Sequence, residues 1–444
     1  MICGNNLGEF ALSFWKLTNN RIVKNMSWLM AGKIIHVILG FFISLLTARY
    51  LGPGNYGLIN YATAYTTFFA SICTLGINSI IVKNFIDYPE EEGETLGTSI
   101  VLRIIASILS LGVICVIVRL IDQDEKLTQV VVGLYSISLV LQTFEIFRQW
   151  FQVKLLSKYY AIATLVSYLV SSFYKIILLA KGKSVEWFAI ANSVDYLLVA
   201  ILLYGFYKKS AGPKLSFSIR KARELLAVSC SYILVGMMTA IYASTDKLML
   251  KQLLGEEQVG FYALALSISS MWTFILSAFI ESFSPTIMAC HNEHKGKYII
   301  MCKRLYAVVF YTSVIASLGI YVIAPLFIRY LYGEQYLASV APLRIIVWYV
   351  AFSYLGVARN VWVVCEKKQK YLKYLYLGSA LCNVILNFLL IPKFGANGAA
   401  VASVLTQIST IFVTPLFIKD FHPNVRMMVD AILLKDVLPT KKVD

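Results

Sequence analysis

From about residue 27 to residue 418 the chain is a succession of apolar runs of roughly 20 residues, parted by short polar stretches. That pattern leaves few folds open. A run of that length crosses the hydrocarbon of a bilayer as one helix, and a helix satisfies its own backbone there. We read twelve runs, at about 27–48, 58–82, 98–119, 128–150, 159–180, 185–207, 224–245, 259–289, 305–328, 341–365, 371–391 and 398–418. Hydrophobic residues make up 59% of the chain and charged residues 14%, with a mean hydropathy of +0.71. A soluble domain has about 45–50% apolar and about 25% charged residues. The spacing therefore predicts an all-α integral membrane protein with about twelve transmembrane helices and no sizeable soluble domain.

One short frame occurs twice. Leu51-Gly52-x4-Gly57 returns as Leu254-Gly255-x4-Gly260, 203 residues later at both glycines. Each copy stands between one apolar run and the next. The repeat predicts two six-helix bundles with pseudo-two-fold symmetry, a pattern common among transporters. The bundles are expected at 27–207 and 224–418, joined by a basic cytoplasmic linker at 208–223. Cytoplasmic segments are expected at 1–26, as a surface helix, and at 419–444, as a polar tail. The first apolar run is too long for a cleaved signal and has no Ala-x-Ala-like exit, so it is expected to stay as a helix. The run at 259–289 is long enough to tilt or to break at Pro285.

The net charge of +16 would suggest nucleic acid in a soluble protein. Here it is read as basic cytoplasmic loops, and no nucleic-acid partner is expected. With the N-terminus inside, 26 of the 40 Lys and Arg residues fall in inside segments and nine in outside segments. That asymmetry predicts an even helix count and both termini in the cytoplasm. The eight cysteines lie in apolar runs or inside segments, so no disulfide is expected. Cys290-His291-x2-His294 with Cys302 lacks the paired short spacings of a zinc site, and no metal is expected. There is no Walker-type phosphate loop and no nucleophile-turn motif, which argues against ATP hydrolysis and acyl chemistry.

Charges inside the apolar runs are the candidate functional residues, because each costs about 2.5–3.5 kcal/mol at mid-membrane on insertion scales. Lys33, His36, Arg103 and Arg359, with Arg49 at the first Gly-Pro turn, are candidates for a cationic cavity that holds phosphate. Asp195, Glu281 and Asp246 are candidates for a proton or sodium coupling site. Lys175 and Arg344 lie near helix ends and read as snorkelling side chains. Glu145 and Arg148, three apart on one face, read as a local pair.

Four stretches carry a resemblance. They are Thr47-Ala48-Arg49-Tyr50-Leu51-Gly52-Pro53-Gly54-Asn55-Tyr56-Gly57; Thr245 to Leu250 with Leu254-Gly255 and Val259 to Tyr262; Ser284-Pro285; and Asn383-x3-Asn387 through Pro392, Gly395 and Gly398-Ala399-Ala400. The chain resembles the polysaccharide transporter family, the Wzx-type flippases of lipid-linked oligosaccharides, within the superfamily that includes the MATE drug exporters. The resemblance covers about residues 25–420. It implies a MATE-like fold with a central cavity that opens to alternate faces. It implies a multi-pass protein of the bacterial inner membrane that moves an undecaprenyl-diphosphate-linked oligosaccharide from the cytoplasmic to the outer leaflet. The pathway would be O-antigen or capsule synthesis, with membrane lipids and a glycan polymerase complex as partners. No cofactor is expected beyond a coupling H+ or Na+. Within the matched stretches only Arg49 and Asp246 are singled out as charges. The alternatives are a MATE-like cation or drug antiporter and an integral glycan polymerase. No loop exceeds about 20 residues, which counts against the polymerase.

Overall fold

The computed structural model describes residues 21–435. Side chains up to residue 34, and those of a few later positions such as Cys230, lie outside the description. Residues 1–20 and 436–444 lie outside it altogether. The expected surface helix before residue 27 is thus mostly outside the described residues, as is the side chain of Lys33.

The described residues form helices joined by short turns, without a strand. In chain order they are α1 (Arg21–Cys73), α2 (Asn78–Asp87), α3 (Glu92–Ile121), α4 (Lys126–Val153, tightened at Thr143–Ile146), α5 (Ser157–Ala180) and α6 (Val185–Lys209). Then come α7 (Ile219–Leu254), α8 (Glu256–Ser270), α9 (Phe274–Glu293), α10 (Lys295–Phe327), α11 (Val340–Ile346), α12 (Tyr349–Cys365), α13 (Leu372–Ile408) and α14 (His422–Ile432). Among the described residues eight helices are long and apolar enough to cross a membrane, and nine with the bent α11–α12 pair. Two of these, α1 and α13, are broken at a glycine with a helical limb on each side. Counting both limbs makes eleven; the 36-residue α7 is long enough to cross but is not among the helices found apolar enough.

The breaks explain themselves locally. Gly52 has φ 72° and ψ 171°, a conformation only glycine adopts freely. Pro53 follows at the first position of the new limb, where its missing N–H costs nothing. Gly255 repeats the conformation between α7 and α8, with φ 87° and ψ 172°. The expected loop at 48–57 is therefore one residue. The second limb runs from 53 to 73 instead of 58–82, and it ends where Leu75 and Gly76 both take positive φ.

The contact pattern divides the chain into two compact units: Met1–Ser44 with Phe69–Gly236, and Leu45–Phe68 with Met237–Asp444. The hairpin around Gly52 thus groups with the second unit, not with the bundle expected from 27–207. In the first unit, Phe85, Leu96, Phe147, Trp150, Phe151, Leu203 and Tyr207 pack a core where α2 and the start of α3 meet the ends of α4 and α6. In the second, Tyr298, Leu305, Tyr306, Leu355, Trp362, Phe421 and Met428 join α10, α12 and α14. Broad apolar faces stay bare, with Leu109 65% and Ile315 70% exposed, as suits a surface solvated by lipid.

Two more expectations change. The break in the 259–289 run falls at 271–273, not at Pro285. Ser269, Ser270 and Thr273 turn their hydroxyls onto the carbonyls of Leu266, Ser267 and Ser270, which compete with the helical ladder. Pro285 stays helical, as membrane helices allow. The tail expected to be polar from 419 carries α14, docked on α10. Asn424 donates to the Tyr306 hydroxyl at 2.8 Å, Tyr311 donates to the Ile432 carbonyl at 2.6 Å, and Lys303 pairs with Asp430 at 2.8 Å.

Candidate functional site

In the second unit the two glycine frames meet. A Cβ on Gly57 would lie 1.8 Å from the Glu256 carbonyl oxygen. A Cβ on Gly260 would lie 2.0 Å from the Pro53 carbonyl oxygen. Pro53 and Glu256 occupy matching places, each just after the glycine break. The second limb of α1 and the start of α8 therefore cross backbone to backbone, each copy of the frame seated on the other. The end of the first limb is held from α10 onward. Tyr336 donates to the Ala48 carbonyl and Gln335 to that of Arg49, both at 2.9 Å, which satisfies carbonyls the break leaves open. Arg49 is exposed, its Nη1 3.5 Å from the Leu331 carbonyl.

Below that crossing lies Asp246 on α7, 5% exposed. One carboxylate oxygen accepts from Asn387 at 2.5 Å and from Asn383 at 3.1 Å. The other accepts from Ser403 at 2.6 Å and from the Tyr262 hydroxyl. Tyr262 and Ser403 are 2.9 Å apart. Four donors from α8 and both limbs of α13 thus compensate one buried charge. The oxygens gathered there are one carboxylate, two amide carbonyls and two hydroxyls. The Asn387 carbonyl oxygen is fully buried and accepts no hydrogen bond among the described residues. Such a donor set suits a hard monovalent cation or a proton better than a transition metal. A short way along α7, Tyr242 donates to Tyr349 at 2.9 Å and accepts from Gln407, which extends the polar column.

The first unit holds its own cluster. Asp195 on α6 faces Lys175 on α5, and Lys175 is also within electrostatic range of His36 on α1. Glu145 on α4 is within range of Arg148, Arg103 and Asp195. The guanidinium of Arg148 lies 5.0 Å over the ring of Tyr160, and His36 sits 4.0 Å from the ring of Tyr168. Asp195 keeps one buried oxygen without a hydrogen-bond partner among the described residues. Charges of both signs on five helices thus share one polar region, where the opposite pairs, Asp195 with Lys175 and Glu145 with Arg148 and Arg103, lower each other's burial cost.

Two of the residues expected in a cationic wall have partners inside their own units. Arg103 is 3% exposed and is spent on the Thr74 carbonyl at 3.0 Å and Asn78 at 2.6 Å, bracing the turn after α1. Arg359 is 2% exposed, donates to the Thr410 carbonyl at 3.1 Å, and lies 5.9 Å over the Phe421 ring. Depth in the sequence sent both toward a wet cavity; each instead donates to a backbone carbonyl of its own unit, while its Nε is buried with no hydrogen-bond partner among the described residues. Glu281 is exposed on α9 and is not among the hydrogen-bond partners of Asp246. Lys175, read as snorkelling, faces Asp195, and Glu145 and Arg148 belong to a larger cluster than a local pair. The partners of Asp246 were not assigned from sequence. Their signal was there: Asn383 and Asn387, one helical turn apart in an apolar run, present two amides on one face.

The described residues thus form a helical membrane fold with glycine-broken helices and buried charges tied across them. Known structures place it more closely. The chain matches the lipid II flippase MurJ, inward closed conformation, with a TM-score of 0.70 at 17% identity, covering 92% of each chain. It matches an inward-facing multidrug resistance MATE family transporter of the MOP superfamily with a TM-score of 0.64 at 13% identity, over 88% of this chain and 95% of that one. The fold is therefore MATE-like. The chain belongs to the polysaccharide biosynthesis protein family, whose model matches residues 22–291. Capsular polysaccharide biosynthesis protein CapF of Staphylococcus aureus is 20% identical to it over 396 residues, 87% of this chain and 96% of that protein.

Proposed function

We propose that this protein is a flippase for a lipid-linked oligosaccharide, driven by a cation gradient. The substrate class is an undecaprenyl-diphosphate-linked oligosaccharide for a surface polysaccharide, carried from the cytoplasmic to the outer leaflet of a bacterial plasma membrane with both termini inside. The family and the MATE-like fold support the transport of a polysaccharide precursor. The observation that carries the coupling is the Asp246 knot. A carboxylate among membrane helices is stable only while something compensates its charge. Tyr262, Asn383, Asn387 and Ser403 do so in this state, and a sodium ion or a proton would do so in another. Ion binding would then trade against the hydrogen bonds that tie α7 to α8 and α13, which makes helix arrangement depend on the ion.

Asp246→Asn keeps the shape and removes the charge. In cells lacking the native gene it is expected to export surface glycan poorly at normal protein level. In proteoliposomes its flipping is expected to lose dependence on an imposed sodium or proton gradient. Gradient dependence equal to the parent would remove Asp246 from coupling. Asp195→Asn tests the other cluster in the same assay, and loss there with Asp246→Asn unchanged would move the coupling site to the first unit. A drug or cation antiporter remains the competing reading, because the buried charges have both signs. Restored drug efflux without restored glycan in the same cells would favour it.

A further inference from the structure

The linker between α6 and α7 does more than join them. Residues 212–218 run without regular secondary structure along the first turns of α3. The Ser216 amide donates to the Gly93 carbonyl at 3.3 Å, and the Ser218 amide to the Thr98 hydroxyl at 3.0 Å. Gly93 and Gly97 form the seat: a Cβ on either would lie 2.2 Å and 2.4 Å from the Lys214 and Ser216 carbonyl oxygens. The first turn of α7 is pinned to the same place, with Arg220 2.8 Å from Glu91 and Lys221 paired to Glu91 and Glu224.

This fixed segment faces outward with an alternating pattern. Leu215 is 38% exposed, Phe217 52% and Ile219 64%, at every second position. Lys208, Lys209, Lys214, Arg220 and Arg223 are exposed around them. Three large apolar side chains stand out from this seat beside Lys208, Lys209, Lys214 and Arg223, while Arg220 is taken up by Glu91 and Glu94, and together they form an amphipathic surface. Exposed apolar residues of α3, Val101 and Ile105 among them, continue from the same seat along that helix.

We propose that the 214–223 strip is an anchor for anionic lipid. Phe217 and its neighbours enter the boundary between head groups and acyl chains, and Lys209, Lys214 and Arg223 bind anionic head groups of that leaflet. The strip thereby fixes the depth of the α3 and α7 starts in the bilayer.

The test uses the full chain with an environment-sensitive fluorescent amino acid at position 217, in nanodiscs of phosphatidylcholine with rising phosphatidylglycerol. Emission is expected to shift to the blue and to be quenched by lipids brominated near the head group. The phosphatidylglycerol fraction at half-maximal change is expected to rise about fivefold for Lys214→Gln, as removal of one interfacial charge predicts. Lys209→Gln and Arg223→Gln should act in the same direction. Emission unquenched in every lipid would place position 217 in water or under another protein segment and overturn the proposal. Quenching indifferent to phosphatidylglycerol and to all three substitutions would overturn it as well.

Discussion

A single Cβ decides whether the two glycine frames can close on each other. Gly57→Ala or Gly260→Ala would set a carbon within 1.8 Å or 2.0 Å of a backbone oxygen, and backbone cannot swing aside like a side chain. Overpacking of this kind costs about 1–3 kcal/mol or more. Each variant is expected to lower the thermal midpoint of the purified protein. Gly54→Ala is the control, since its Cβ would meet Glu256 at an ordinary 3.9 Å. Arg359 poses the opposite question, whether a buried charge is a binding group at all. Its guanidinium is enclosed by Thr410 and Phe421, so Arg359→Met, similar in volume and apolar, is expected to keep glycan export at the parental level. A loss of export at unchanged protein level would return Arg359 to substrate binding.

Among the elements, α14 was hidden by the polarity of the tail. Asn424, Met427, Met428 and Ala431 recur at helical spacing, with Phe421 just before them, and those are the positions buried there. Its outer anchor is the Lys303–Asp430 pair. The hydrogen bond from Lys303, chiefly, holds the Asp430 carboxyl below its ordinary pKa. A lowered carboxyl pKa stabilises the docked form above the ordinary value, and the contribution is lost as pH falls through the lowered one. Hydrogen exchange over 422–432 is therefore expected to quicken on acidification into that range. Lys303→Met should raise exchange at neutral pH and flatten the pH dependence; a profile identical to the parent would show that Asp430 does not hold the helix. Asp420, lowered by Tyr371 and then Lys368, adds a second carboxyl of the same sign. The α8–α9 break taught a related point: a run of Ser and Thr hydroxyls stopped a helix that a proline did not.

At the scale of the molecule, the number and order of the apolar runs were legible because lipid forces backbone pairing within each run, a local requirement. The one-residue turns were legible for a similar reason, since Gly52 and Gly255 must hold a conformation other residues resist. The division into units was not. Leu45–Phe68 joins the second unit although the sequence counts it with the first half, because the pairing of Gly57 with Gly260 depends on a partner some 200 residues away. The site divided in the same way. Asp246 stood out from sequence as a charge in an apolar run, whereas its four donors come from α8 and α13. The sequence by itself determined a polytopic helical membrane protein, its turns and its candidate charges, since each follows from neighbours along the chain. Only the tertiary structure decided which charges meet backbone carbonyls, like Arg103 and Arg359, which are compensated by neutral donors, like Asp246, and which lie among other charges, like Asp195. Burial and hydrogen bonding depend on what packs across the helices, and no single run contains that.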